Sequence, residues 1–119
     1  MYARDNGAGA GQPLLQLPGD ARVEAATVML RLLADRTRLR LMWLLCHGEH
    51  DVTTLVEAVG VARPAVSQHL AKLRLAGLVS THRAGRRVLY AARHGHIRRL
   101  VTEALHAAEH ELSGALDHP

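Results

Sequence analysis

Ser67, Gln68, His69 and Lys72 form a run of side chains that between them donate and accept hydrogen bonds, set among small and aliphatic residues. Read at helical spacing, Val66, Leu70 and Leu73 fall on one apolar stripe, and the polar four lie off it beside Ala71. A short helix with a thin buried edge and a small-sided polar face suits the major groove, whose base edges carry a distinct pattern of donors and acceptors. A second set of groups is imidazole. Five of the nine histidines (His94, His96, His106, His110 and His118) lie in the final stretch of the chain. Imidazole with an occasional carboxylate and no thiolate suits nickel, cobalt or zinc rather than softer ions.

Spacing limits what those histidines can do alone. At about 100° and 1.5 Å per residue, His96, Glu103, Ala107 and His110 share an arc of roughly 60°, and His106 neighbours His110. His96 and His110 are nonetheless about 21 Å apart along the axis, so one helix cannot wrap both around a single ion. Two such helices packed antiparallel can, because the start of one then meets the end of the other. This layout predicts a symmetric homodimer with two equivalent sites.

The elements that must position these groups are legible in order. Residues 1–19 are rich in Gly and Pro and have no period, and are expected to form a flexible arm. Asp20 or a neighbour should cap a first helix running to about Leu33, with Val23, Ala26, Thr27, Leu30 and Leu33 on its apolar side. Asp35 should cap a second helix that turns Leu39, Met42, Trp43 and Cys46 inward and Arg36, Arg38 and Arg40 outward. Val52–Val59 reads as a short amphipathic helix, Gly60 as a turn, and Arg63-Pro64 as the start of the next helix, which Gly77 should stop. Helix, turn, helix is a DNA-reading pattern as well as a common helical hairpin. The segment after Gly77 favours the DNA reader. Val79–Arg83 and Arg86–Ala91 alternate about Ala84-Gly85 as a β-hairpin with Arg83, Arg86 and Arg87 at its tip. The expected architecture is mainly α with a small hairpin, a winged helix-turn-helix over residues 20–116. A final helix from about 95 to 116 should serve dimerisation and sensing together with the first helix, leaving 117–119 as a tail.

Composition agrees. One domain fits in 119 residues, and the 48% hydrophobic content includes no Phe and only Trp43, Tyr2 and Tyr90 as aromatics. Small side chains bury little area each, so a lone protomer should have a lean core and leftover apolar stripes. A net charge of +4, carried almost wholly by arginine, favours a polyanionic partner and bidentate contacts to phosphate and guanine. Cys46 stands alone, so no internal disulfide forms; a small core residue is its simplest role. No run spans a membrane and no leader pattern is present, which places the expected protein in the cytoplasm. There is no nucleophile–base pair, phosphate loop or complete catalytic metal motif, so an enzyme is not expected.

LADRTRLRLMWLL, VARPAVSQHLAKLRLAGLV, the arginine hairpin and the His-bearing final helix together resemble the ArsR/SmtB family of metal-responsive winged-helix regulators, over about Val23 to His110. The Ala108-Glu109-His110 ending looks most like the nickel/cobalt-sensing branch from actinobacteria. The resemblance implies a homodimer that binds an operator when metal-free and releases it on binding metal. It implies that Arg63, Ser67, Gln68 and His69 read bases from the helix opened by Pro64, while Lys72, Arg83, Arg86 and Arg87 hold phosphates. It also implies His94 and His96 as ligands from one protomer and His110 from the other. The remaining family position is Ala107 here, so His106 or Glu109 would stand in, with His118 or the amino-terminal arm completing a nickel or cobalt site. The thiolate sites of other members are missing. Two other readings remain: a regulator of the same fold that answers a non-metal signal or activates, and a sequence-tolerant architectural DNA binder.

Overall fold

The computed structural model describes residues 15–117. Most of the proposed arm, residues 1–14, and the tail residues 118–119 lie outside the described residues. The order is α1 (Asp20–Leu33), α2 (Arg36–Cys46), α3 (Val52–Val59), α4 (Arg63–Leu75), β1 (Val79–Ala84), β2 (Arg87–Ala92) and α5 (Gly95–Asp117).

Local chemistry explains most boundaries. The Asp35 carboxylate accepts the Arg38 backbone N–H at 2.9 Å and opens α2. Asp51 does the same for α3 through Thr54, at 2.9 Å. Of the expected alternatives for α1 the neighbour holds: Gly19 is the N-cap, Asp20 lies inside the first turn, and no side chain caps the helix. Asp20 then contributes only its charge near the positive end of the helix dipole. Gly77, at φ 82°, closes α4: its N–H bonds Arg74 O at 3.0 Å, and Leu78 N–H reaches back to Leu73 O at 2.9 Å. This double closure satisfies the last carbonyls and turns the chain straight into β1.

The hairpin is antiparallel, with Val79 opposite Ala92 and Ala84 opposite Arg87. Its loop is therefore Gly85-Arg86, one residue beyond the Ala84-Gly85 expected. Gly85 takes φ 68°, the positive angle that two-residue hairpin turns require at this position. The base of the hairpin is tied to the α2–α3 loop, where His50 and Tyr90 exchange both backbone hydrogen bonds at 3.1 and 2.9 Å.

The core gathers Val66, Leu70 and Leu73 of α4, Leu55 of α3, Leu41, Met42 and Leu45 of α2, and Ile97 and Val101 of α5. Each of these is at most 1% exposed, and burial of an aliphatic side chain of this size stabilises by about 1.5–3 kcal/mol. The α4 stripe is the one expected. The α2 stripe is rotated by one residue: Leu41, Met42 and Leu45 face inward, while Leu39, Trp43 and Cys46 are half-buried at its flank. Burial pushes the Cys46 thiol pKa up, in keeping with a partly buried packing role. Arg98 fastens α5 to its neighbours by donating to Cys46 O at 3.0 Å and Ala92 O at 3.1 Å.

Two helices are left uncovered. On α1 only Leu33 is buried, and Val23, Val28 and Leu30 are 47%, 42% and 52% exposed. The second half of α5 projects past the core, with Leu112 at 69%. The radius of gyration is 19.0 Å, against about 13 Å for a compact domain of roughly 100 residues. No helix among the described residues is long and apolar enough to cross a membrane.

A candidate nucleic-acid interface and an imidazole-bearing helix

α4 is held from beneath by Val66, Leu70 and Leu73, and its outer face carries Arg63, Pro64, Ser67, Gln68 and Lys72, all exposed. Arg63 and Pro64 occupy the first helical turn, where the missing proline N–H costs nothing. The Arg63 guanidinium donates to Thr53 Oγ1 at 2.8 Å, which steadies its stem across the helix-turn-helix. His69 is set differently from the others: it is half-buried, and its Nδ1 lies 3.1 Å from Arg38 Nη1. Arg38 in turn donates from Nε to Leu32 O at 2.6 Å. Arg38 is thus half-buried at the α1–α2 corner and not outward as expected. Arg36 and Arg40 are exposed, as expected.

The wing carries its cations at the tip. Arg83, Arg86 and Arg87 are all exposed. Arg87 Nε also donates to Asp51 Oδ2 at 3.0 Å, so this arginine beside the loop is braced against the N-cap of α3. The Asp51 carboxyl is held at about 2, chiefly by the Thr54 backbone N–H and then by the Thr54 hydroxyl and Arg87. Glu49 and His82 meet at 3.4 Å on the other side of the wing base. The arrangement presents a polar helix and a cationic hairpin tip joined through one glycine, which is the geometry for a major-groove reader with a flanking phosphate clamp.

α5 presents imidazoles at both ends of the segment packed against the rest of the chain. His94 and His96 lie at its start, exposed, with ring centroids 5.7 Å apart. His96 Nδ1 is 2.9 Å from Arg99 Nη2, which leaves Nε2 as the outward nitrogen. His106, Glu109 and His110 lie on the projecting half, all exposed. His106 and Glu109 line one wall of an open groove of about 800 Å³, whose floor includes Trp43, Leu39 and Leu44 of α2 and Leu105 and Leu112 of α5. Among the described residues of one chain no three His, Cys, Asp or Glu side chains gather closely enough to hold a metal ion. His118 lies outside the described residues.

Sequence reasoning missed Arg38. A signal was present: Arg38, Leu41, Met42 and Leu45 share one helical face at spacings of three, four and seven, so an inward α2 stripe already included that arginine.

Comparison with known proteins agrees with this geometry. Residues 35–81 match the family model described as bacterial regulatory protein, arsR family. The chain is 44% identical over 102 residues to the HTH-type transcriptional regulator KmtR of Mycobacterium tuberculosis, covering 86% of this chain and 78% of that protein. It is 38% identical over 112 residues to NmtR, an HTH-type transcriptional regulator of the same organism, covering 93% and 92%. Among solved structures, the homodimeric winged helix-turn-helix DNA-binding domain Mb0332 from Mycobacterium bovis superposes with a TM-score of 0.73 at 28% identity, covering 88% of this chain and 94% of that one. The chain is therefore a member of the ArsR/SmtB family of winged-helix transcriptional regulators, a DNA-binding protein and not an enzyme.

Proposed function

We propose that this chain is a cytoplasmic homodimeric repressor that holds an operator when metal-free and leaves it on binding nickel or cobalt, with zinc a further fit. The observation that carries this reading is the unfinished state of α1 and α5: apolar side chains stand uncovered on both, and imidazoles sit at separated stations of one helix. A second copy pairing through these helices covers the first and brings together the second.

The donor chemistry fits. His94 and His96 from one protomer, with His106 and His110 from the other, would hold the ion, and Glu109 and His118 are further oxygen and nitrogen donors. Such a set is imidazole-rich and lacks thiolate, as borderline divalent ions prefer. When bound, the metal supplies a fixed link between the ends of two helices. The protein does the rest. Ile97 and Val101 seat α5 on α2, and α2 packs on α4, so a change in α5 pairing is passed through one continuous core to the reading helix. Two reading helices on adjacent half-sites must stand about 34–36 Å apart. A pairing that favours another spacing lowers operator affinity, with coupling typically about 1–3 kcal/mol. On the operator, Arg63, Ser67, Gln68 and His69 face base edges, while Lys72, Arg83, Arg86 and Arg87 hold phosphates.

The test is a binding titration of the full-length chain on its own promoter duplex, without metal and with nickel, cobalt or zinc. Release by nickel or cobalt is expected, and indifference to all three ions overturns the metal reading. The double substitution His96→Ala/His110→Ala should abolish that response while leaving metal-free DNA binding intact. Unchanged nickel and cobalt affinity in the double variant would remove the proposed ligands.

A further inference from the structure

We infer that Arg38 is a positioning residue for DNA readout: it holds His69 as a neutral imidazole with its proton on Nε2, so that α4 offers the DNA an N–H donor at this position and not an acceptor. The inference rests on α4 being the DNA-reading helix.

An asymmetry of chemistry decides where the proton sits. A guanidinium is always charged and only donates, whereas each nitrogen of a neutral imidazole is either a donor or an acceptor. Arg38 Nη1 lies 3.1 Å from His69 Nδ1, so that nitrogen must carry the lone pair. The single proton of the neutral ring then resides on Nε2. The guanidinium is not free to adjust. Its Nε is spent on Leu32 O at 2.6 Å, in the last turn of α1, and the backbone N–H of the same residue is held by the Asp35 carboxylate at 2.9 Å. The fork is therefore aimed at α4 by the α1–α2 corner.

His69 is half-buried, one residue after Gln68 and three before Lys72 on the helix face read as facing DNA. Its Nδ1 is satisfied from within, and among the described residues Nε2 has no hydrogen-bond partner. An N–H in that position matches acceptor atoms: guanine O6 and N7, adenine N7 or thymine O4 in the major groove, or a phosphate oxygen. It does not match the amino groups of adenine or cytosine.

Two experiments test this on the full-length chain. In histidine-labelled protein at slightly alkaline pH, long-range nitrogen–proton NMR should show His69 with the proton on Nε2. Arg38→Ala should convert it to a mixture of tautomers. A wild-type His69 carrying its proton on Nδ1 overturns the inference, as does a folded Arg38→Ala protein with an unchanged His69 signature.

The second experiment uses a duplex selected by the wild-type chain from a random-sequence pool. His69→Gln, whose amide nitrogen reaches the position of Nε2, should bind within about threefold of wild type. His69→Asn, which reaches only the position of Nδ1, should lose about five- to tenfold. Equal binding by the two variants overturns the inference. Reselection with His69→Asn separates the acceptors: a changed base preference marks a base edge, and uniform weakening marks a phosphate oxygen. A wild-type chain that enriches no duplex would overturn the reading role of α4 and this inference with it, whereas selection followed by the wrong tautomer would overturn this inference alone.

Discussion

The two halves of this molecule are finished to different degrees. The reading half, α3 to β2, is completed within one chain: Leu55, Val66, Leu70 and Leu73 are fully buried in a core shared with α2, and the wing is tied to the α2–α3 loop by the His50–Tyr90 exchange. The half proposed to sense metal, α1 and the end of α5, leaves Val23, Val28, Leu30 and Leu112 in solvent. A surface that must match a rigid duplex gains from being set before encounter. A surface that must respond to a small ion gains from being completed only by association.

Substitutions on either half can break that contrast. The largest effect belongs to the closed half: Leu70→Ala should destabilise the chain by about 2–5 kcal/mol in urea unfolding and abolish DNA binding with it. A loss well under 1 kcal/mol would mean that the reading helix is not anchored by this core. On the open half, Leu30→Asp should leave helical content intact and weaken self-association by roughly 2 kcal/mol or more, about thirtyfold in Kd, as seen by sedimentation. An unchanged sedimentation profile across concentration would place the interface elsewhere.

The smallest effect is electrostatic and sits on the closed half. The Asp51 carboxyl at about 2 lies below its value of about 3.9 in an unfolded chain. Its contribution is therefore complete above about pH 4 and fades as pH falls through about 4 toward 2. Asp51→Asn should flatten that portion of the stability–pH curve and leave the neutral-pH wing conformation unchanged. A persistent acid limb of the same steepness would assign it to other carboxylates, Asp35 first, whose pKa is also lowered, mainly by the Arg38 backbone N–H.

The same contrast explains how much was legible in the sequence. The α4 stripe was visible because Val66, Leu70 and Leu73 are set among polar or small neighbours, so only one face could be buried. α2 resisted because Leu41 through Cys46 is apolar without interruption, and periodicity has nothing to distinguish inner from outer. The one-residue rotation that resulted is also why Arg38 was placed outward. The hairpin was seen but displaced by one residue, since both Ala84-Gly85 and Gly85-Arg86 contain the glycine; the pairing of Val79 with Ala92 decides between them. His69 lies beside the buried stripe, three residues from Val66 and four from Leu73, so its inward hydrogen bond agrees with its place on the wheel. The proposed meeting of the α5 imidazoles is a property of two chains, and one sequence read along its length carries it only as spacing.

A single glycine stands in the turn between α4 and β1, and Leu78 is bonded back onto Leu73 across it. That bond couples the tilt of the helix to the tilt of the hairpin. Tilting either one swings the other, so contact with groove and backbone is lost together. Departure from DNA should then be abrupt, with no stage at which the hairpin lingers after the helix has lifted.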